Sequence, residues 1–307
     1  MDDFPSSMST KQAVIATLAY FDIFGIPLTR DEISEHLFIM PPDERQIDIY
    51  LKESPLITVH DGFYSLQGDE KFFLNFYDKI TRSKKYWKRV KKFQWLFSIC
   101  PFVELVCVCN SLPINDTNYN SDIDLFIVTK KGKLFIARAF FTFLTHIFRV
   151  RRHGAKIEKR FCLSFYICES NLNLENLTLK PFDIYLAYWL KTMQPISGDF
   201  EIYEELININ SNWIKKYFPH NLPKNKRYFR PRTEKQIKWK EKIEKFLNKE
   251  KYEKKMMAWQ LSRAKQKSDN LTNKSGTIIQ ENILKFHNKD IREEVKNTWK
   301  KRITEFF

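Results

Sequence analysis

Two aspartates, Asp122 and Asp124, begin an apolar run that reads SDIDLFIVT and has the composition of a buried strand. On an extended backbone, side chains two residues apart project from the same face, so both carboxylates point one way while Ile123 and Leu125 point the other. Hard cations such as Mg²⁺ prefer oxygen ligands, and phosphoryl transfer uses such an ion to bridge and neutralise phosphate oxygens. The spacing therefore predicts a divalent-cation site suited to phosphate chemistry.

A polar segment precedes these aspartates. It follows a second apolar run, Val103–Cys109, and it is rich in Asn, Asp, Ser and Pro, so it is predicted to be a loop between two strands. Asn110-Ser111 opens the loop and Ser121 closes it. The alternative interpretation of the acids is that they cap this loop and face water, because an Asp-x-Asp pair also occurs by chance in many proteins.

This arrangement resembles the nucleotidyltransferases of the DNA polymerase beta superfamily. Their signature is a Gly-Ser at the end of one strand, a variable loop, and Asp-x-Asp/Glu in the next strand; Asn110-Ser111 and Ser121-Asp122-Ile123-Asp124-Leu125 occupy those places. The resemblance covers about residues 102–168. It implies that Asp122 and Asp124 are catalytic and bind Mg²⁺ or Mn²⁺. It also implies that Asn110, Ser111 and Ser121 bind the phosphates of an NTP substrate.

The sequence departs from that family at two places. Asn110 replaces the Gly that lets the backbone adopt a positive φ or approach a phosphate, although Asn tolerates this conformation better than most residues. The family's third carboxylate should come from a neighbouring strand, and the candidate strand, residues 160–168, contains no acid. Only Glu158 and Glu169 flank it.

Two functions therefore remain open. One is a Mg-dependent nucleotidyltransferase that moves a nucleoside monophosphate from an NTP to an acceptor. The other is a catalytically degenerate protein of the same fold that binds nucleotide or RNA. A carboxylate reaching the Asp pair from Glu158 or Glu169 would favour transfer, whereas a strand face filled only by Cys162 and Ser164 would favour binding.

The order of elements predicts an α+β fold with room for two or three domains in 307 residues. Three helices and a hairpin around Asp61-Gly62 are typical of a winged helix, and Thr29 with Glu32 forms a capping box for the second helix. The third helix carries net negative charge, which argues against duplex binding. The predicted parts are a winged-helix-like domain at 1–68, a basic connecting helix at 69–101, a nucleotidyltransferase-like domain with a small mixed sheet at 102–218, a linker at 219–233 and a basic helical region at 234–307.

Two details of this assignment concern connections. Residues 195–198 (PISG) are expected to separate two helices, Pro181–Met193 and Phe200–Phe218, that pack against the sheet. The segment Pro219–Thr233 contains three prolines and few apolar residues, so it is expected to lie outside the sheet.

The C-terminal third carries the whole positive charge. From Lys215 onward there are 27 Lys/Arg and 11 Asp/Glu, a net charge of +16, against a formal +15 for the whole chain. Such one-sided charge indicates nucleic acid, and RNA in particular, as a partner, with an anionic small substrate or an acidic protein as the next alternatives. The alternative is a helical hairpin with a solvated outer face, in which a stripe of apolar residues is buried: Ile237, Trp239, Ile243, Phe246, Leu247, Trp259 and Leu261.

The remaining features predict a cytoplasmic protein. The five cysteines lie in or beside apolar runs without metal-ligand spacing, so they are interpreted as small buried side chains in a reducing compartment. The first residues lack the basic start and apolar run of a signal peptide, and the longest apolar stretch, Leu134–Phe148, is too short to span a bilayer. No membrane partner is expected.

Overall fold

The computed structural model describes residues 7–66, 68–269, 276–286 and 290–306. The fold is α+β, as predicted, and is organised around one mixed sheet. Its helices and strands, in chain order, are α1 (Thr10–Asp22), β1 (Leu28–Thr29), α2 (Arg30–Glu35), α3 (Glu44–Glu53), β2 (Thr58–His60), β3 (Phe63–Ser65), α4 (Glu70–Ser98), β4 (Val103–Val108), β5 (Ile123–Thr129), α5 (Leu134–Ile147), β6 (Phe161–Cys168), α6 (Ile184–Thr192), β7 (Gln194–Gly198), α7 (Phe200–Ile214), β8 (Arg230–Pro231), α8 (Glu234–Leu247), α9 (Glu250–Asp269), β9 (Thr277–Ile279), β10 (Ile283–Phe286) and α10 (Arg292–Phe306).

The N-terminal elements follow local sequence signals. Thr29 caps α2 by accepting a hydrogen bond from the Glu32 amide, and the Glu32 carboxylate accepts one from the Thr29 amide at 2.8 Å, which completes the predicted capping box. Asp61 and Gly62 both adopt positive φ, +49° and +77°, as a two-residue hairpin between β2 and β3 requires. Three helices and a hairpin form as the sequence predicted, and an unpredicted strand, β1, pairs with β3 to give a three-stranded antiparallel sheet.

The central sheet has seven strands in the order β8-β7-β4-β5-β6-β10-β9. β4 pairs with β5 antiparallel, and β5 pairs with β6 in parallel after the crossover through α5. Both sheet faces are covered, which explains why β4 and β5 are apolar at nearly every position. One core includes Leu105, Cys107, Phe126 and Val128. The other includes Val106, Val108, Leu125 and Ile127.

The N-terminal helices share the first of these cores with the end of the chain. The Trp299 indole of α10 is buried and donates a hydrogen bond to the Ala16 carbonyl of α1 at 2.8 Å. The ring of Tyr20 stacks on that of Tyr188 in α6, with centroids 4.0 Å apart. Segments from both ends of the sequence therefore pack into one continuous core.

Residues 195–198 separate α6 from α7 as expected, but they do so as a strand, because they belong to β7, which pairs antiparallel with β4. The expectation for the second connection is wrong. The segment Pro219–Thr233 is not outside the sheet, since its strand β8 pairs with β7 and the Arg232 guanidinium donates to the Ser98 carbonyl at 3.2 Å. Short strands with Pro and Gly carry weak strand signals, and here neighbouring strands determine the conformation.

The C-terminal region differs from its expected packing in a similar way. Two helices, α8 and α9, form as predicted, but β9 and β10 extend the sheet beyond β6. The expected buried stripe is wrong for four of its seven members, which are Ile237, Trp239, Phe246 and Trp259, with 41%, 51%, 72% and 51% of their surface exposed. The five cysteines are free and buried, in agreement with their interpretation as core residues. No helix in the described part of the chain has the length and apolarity needed to span a membrane.

We expect Gly198→Ala to destabilise the protein by about 2–4 kcal/mol, since a Cβ there would lie 2.1 Å from the Glu104 carbonyl oxygen and φ is +120°. Gly154→Ala is the matched control, because φ is +51° but nothing lies within 4 Å of the added Cβ. It should cost about 1 kcal/mol. Urea unfolding of both variants measures the difference, and equal losses would contradict the close packing of β7 on β4.

Candidate functional site

The two aspartates lie side by side at the start of β5. Carboxylate oxygens of Asp122 and Asp124 and the sulfur of Cys162 all lie within 4.8 Å of one another. Ile123 between them is fully buried on the opposite face. The strand geometry expected for an Asp-x-Asp pair is therefore observed, and it brings three possible metal ligands together.

Cys162 owes its position to the strand pairing. β6 runs parallel to β5 with Cys162 opposite Asp124, and the register shifts just beyond this pair. The Cys162 side chain is buried, and burial together with the nearby Asp124 and Asp122 carboxylates raises the pKa of its thiol. Cys162 is thus a neutral thiol in this site rather than a thiolate.

Arg152 pairs with the first aspartate. Its guanidinium donates to the Asp122 carboxylate at 2.6 Å and lies 3.8 Å from the Cys162 sulfur. The Arg152 side chain is 43% exposed and the Asp122 side chain 16%. The half-exposed Arg152 guanidinium therefore neutralises the Asp122 carboxylate, which is the outer one of the pair.

Asn110 holds the second aspartate. Its φ is +60°, the left-handed conformation that Gly adopts most easily and Asn tolerates. Its side-chain amide donates to the Asp124 carboxylate at 2.9 Å, and the Cys109 amide donates to the Asp124 carbonyl at 3.1 Å. The turn that ends β4 is thereby fixed against the start of β5.

The two serines proposed to bind phosphate have different environments. Ser111 lines a cavity together with Asn110 and Asp124. Ser121 does not line it: its hydroxyl accepts from the Asn118 amide at 2.7 Å, and its carbonyl accepts from the Tyr86 hydroxyl at 2.9 Å. Ser111 is therefore available to a ligand in this cavity, whereas Ser121 closes the loop.

This cavity has a volume of about 170 Å³. Its lining combines polar and aromatic side chains and includes Asn110, Ser111, Asp116, Asp124, Tyr20, Tyr185, Tyr188 and Trp189. Pockets for drug-sized ligands measure roughly 300–1,000 Å³, so this cavity has room for one small group and not for a molecule of that size.

The electrostatics favour protonation of the inner aspartate. Burial raises the pKa of Asp124 to about 6, and the neighbouring Asp122 carboxylate adds to the rise. Hydrogen bonds from Asn110 and Cys162 and the charge of Arg152 act in the opposite direction. Desolvation outweighs these interactions, so the ionised pair is costly unless a further cation is present.

Neither glutamate that could have supplied a third carboxylate does so. Glu158 pairs with the Lys159 ammonium. Glu169 accepts a hydrogen bond from the Lys131 amide at 3.1 Å. Within the described residues, the Asp122, Asp124 and Cys162 cluster contains no other acid, His or Cys.

Sequence reasoning missed two residues of this site. Arg152 stood in a basic loop and was not proposed as a site residue, and no local signal links it to Asp122. Cys162 was considered only as a residue that fills the strand face. No local signal fixes its place opposite Asp124, because the register of β6 on β5 is set by the pairing of the two strands.

Comparisons with protein-family models, curated proteins and solved structures found no match to this chain. The interpretation of the site therefore rests on its own geometry.

We expect Asp124→Asn to stabilise the metal-free protein at pH 7.5 and to have little effect at pH 4. Folding raises the pKa of the Asp124 carboxyl from 3.8 to about 6, so this group lowers the free energy of unfolding. The loss of stability is complete above about pH 6 and vanishes below pH 3.8. The gain should be about 1–3 kcal/mol. Urea unfolding at both pH values in EDTA tests this, with exposed Asp78→Asn as the control. Equal effects of Asp124→Asn at both pH values would contradict the raised pKa.

Proposed function

We propose that this protein binds a nucleotide together with a divalent cation through Asp122, Asp124 and the Asn110-Ser111 turn, and that it does not turn the nucleotide over efficiently. The observation that carries the proposal is the Cys162 thiol opposite Asp124, at the place where the family resemblance calls for a third carboxylate. A neutral thiol supplies neither the charge nor the oxygen of that ligand.

The donor set fits one hard cation. Mg²⁺ is commonly held by one or two protein carboxylates together with substrate phosphates and waters, so the Asp122 and Asp124 carboxylates are sufficient ligands. When bound, the ion would supply positive charge to the phosphates. It would also remove the repulsion that contributes to the raised pKa of Asp124.

Arg152 has a definite part in this proposal. While it pairs with Asp122 it occupies an oxygen that an ion needs. Because the guanidinium is 43% exposed, it can rotate from the carboxylate to an incoming phosphate, which matches its planar fork of donors equally well. Nucleotide binding would thereby free Asp122, so that phosphate and metal ion would bind cooperatively.

The cavity beside Asp124 supports the same arrangement. Ser111 and Asn110 line it, and their hydroxyl and amide groups can donate to a phosphate oxygen. Tyr185 and Trp189 also line it. The volume of about 170 Å³ limits the enclosed portion to one group of the ligand.

Nucleotidyl transfer is the second candidate, favoured by the exposure of Arg152, since its departure would free the Asp122 carboxylate. In that reaction an acceptor oxygen forms a bond to the α-phosphorus, the bond from this phosphorus to the β-bridging oxygen breaks, and pyrophosphate leaves with the electron pair. Asp122 and Asp124 would then hold the cation, Mg²⁺ or Mn²⁺, and the acceptor's proton would pass to solvent.

Asp124→Asn should lower the affinity for Mg²⁺·ATP at least about tenfold, since a charged ligand to the cation is lost. Isothermal titration calorimetry measures this with the full-length protein, and exposed Asp78→Asn should retain the wild-type affinity. Unchanged binding by Asp124→Asn would reject the metal-site proposal.

Replacing the thiol tests whether the site is degenerate. Cys162→Asp introduces a third carboxylate and should produce pyrophosphate release from labelled NTPs with Mg²⁺ or Mn²⁺, over a panel of tRNA, oligonucleotide, protein and aminoglycoside acceptors. Cys162→Ser is the neutral control of similar size, and it should be as inactive as the wild type. Pyrophosphate release by the wild type that Asp124→Asn abolishes would instead establish nucleotidyl transfer.

A further inference from the structure

The solvent face of α8 carries lysines and aromatic rings in alternation. Lys235, Trp239, Lys242 and Phe246 follow one another at intervals of four, three and four residues, which places them in one line along a helix. We call these four residues the lysine–aromatic row. All four are exposed, and Trp239 and Phe246 have 51% and 72% of their surface accessible.

Two further lysines flank the row. Lys238 and Lys245 are exposed on the adjacent line of the helix. Within the described residues, no ion pair involves Lys235, Lys238, Lys242 or Lys245. The acids of α8 lie elsewhere on its circumference: Glu234 and Glu241 on the neighbouring side, and Glu244 against the core.

Buried polar contacts fix the orientation of α8. The Glu244 carboxylate accepts from the Phe102 amide at 2.6 Å and pairs with Lys130 at 2.9 Å. Lys240, on the same side of the helix, pairs with Glu104 at 3.1 Å. Because these contacts hold the opposite side of α8 against the start of β4, the fold keeps the lysine–aromatic row in solvent.

We propose that the lysine–aromatic row binds single-stranded nucleic acid. These four exposed lysines of α8 can neutralise backbone phosphates, and exposed aromatic rings form stacking platforms for bases. Trp239 and Phe246 are separated by about 10 Å along the helix axis. Two splayed bases can stack on these rings while Lys242, between them, contacts the intervening phosphate.

The alternation of lysines and aromatic rings favours single-stranded nucleic acid over a lipid surface and over a duplex. A helix that lies on a lipid surface presents a continuous apolar face, whereas Lys242 interrupts the two aromatic residues here. In a duplex the bases are stacked on one another and cannot pack on Trp239 or Phe246, so stacking selects single strands.

This surface is separate from the aspartate site. α8 contacts residues Phe102 and Glu104 at the start of β4, while Asp124 lies beside the far end of that strand, where Val108 pairs with Leu125. The intervening length of strand is about 17 Å. The proposal therefore does not depend on nucleotide binding at Asp122 and Asp124.

Fluorescence anisotropy of the full-length protein with a labelled twelve-nucleotide oligo(U) tests the proposal at several salt concentrations. Trp239→Ala with Phe246→Ala should weaken binding about fivefold or more, since one stacked base contributes at least this much. Replacing Lys235, Lys238, Lys242 and Lys245 by Gln should flatten the log–log salt slope by about 2–3, at about 0.7 per neutralised phosphate. All six positions are exposed, and circular dichroism verifies that the variants fold.

A matched set of four lysines on another helix distinguishes binding by the lysine–aromatic row from a general effect of positive charge. Lys71, Lys84, Lys85 and Lys88 are exposed on α4, and their replacement by Gln removes the same charge. The proposal predicts wild-type binding and slope for this set. Equal losses of oligo(U) affinity in the two lysine sets, or wild-type affinity in the Trp239→Ala, Phe246→Ala variant, would overturn the proposal. Equal loss of oligo(U) and duplex binding in that variant would also overturn it, as would binding of the protein to phosphatidylglycerol vesicles and not to oligo(U).

Discussion

The burial of β5 between β4 and β6 is the constraint on which the rest of this structure depends. A strand with neighbours on both edges and covered faces can expose residues only at its ends, so polar groups that belong to it must lie there. Asp122 and Asp124 are at that position. The parallel register then sets Cys162 opposite Asp124, and the antiparallel register sets Asn110 beside it.

The site that results combines opposing electrostatic contributions. Two carboxylates lie close together in a half-buried place, and desolvation raises the pKa of Asp124. Arg152 and Asn110 offset part of that cost without removing it. The cost of the ionised pair therefore depends on the position of Arg152. The Cys162 thiol adds no charge to this cluster.

The C-terminal third has two structural consequences. Its strands and helices complete both edges of the sheet and both cores, as the pairing of β10 with β6 and the burial of Trp299 illustrate. The charge of α8 is divided between its two sides. Lys240 and Glu244 are buried and pair with each other and with the start of β4, whereas the remaining lysines of α8 face solvent. One helix thus serves as a wall of the fold on one side and as a basic surface on the other.

The sequence by itself determined the features that depend on neighbouring residues: the capping box of α2, the Asp61-Gly62 hairpin and the common face of Asp122 and Asp124. Only the tertiary structure decided which residues meet across the chain. Arg152 reaches Asp122 from another loop, residues 195–198 become a strand because β4 offers an edge, and Trp239 is exposed because buried ion pairs orient its helix. Local signals specify conformation, whereas register and coverage of a face depend on partners distant in sequence.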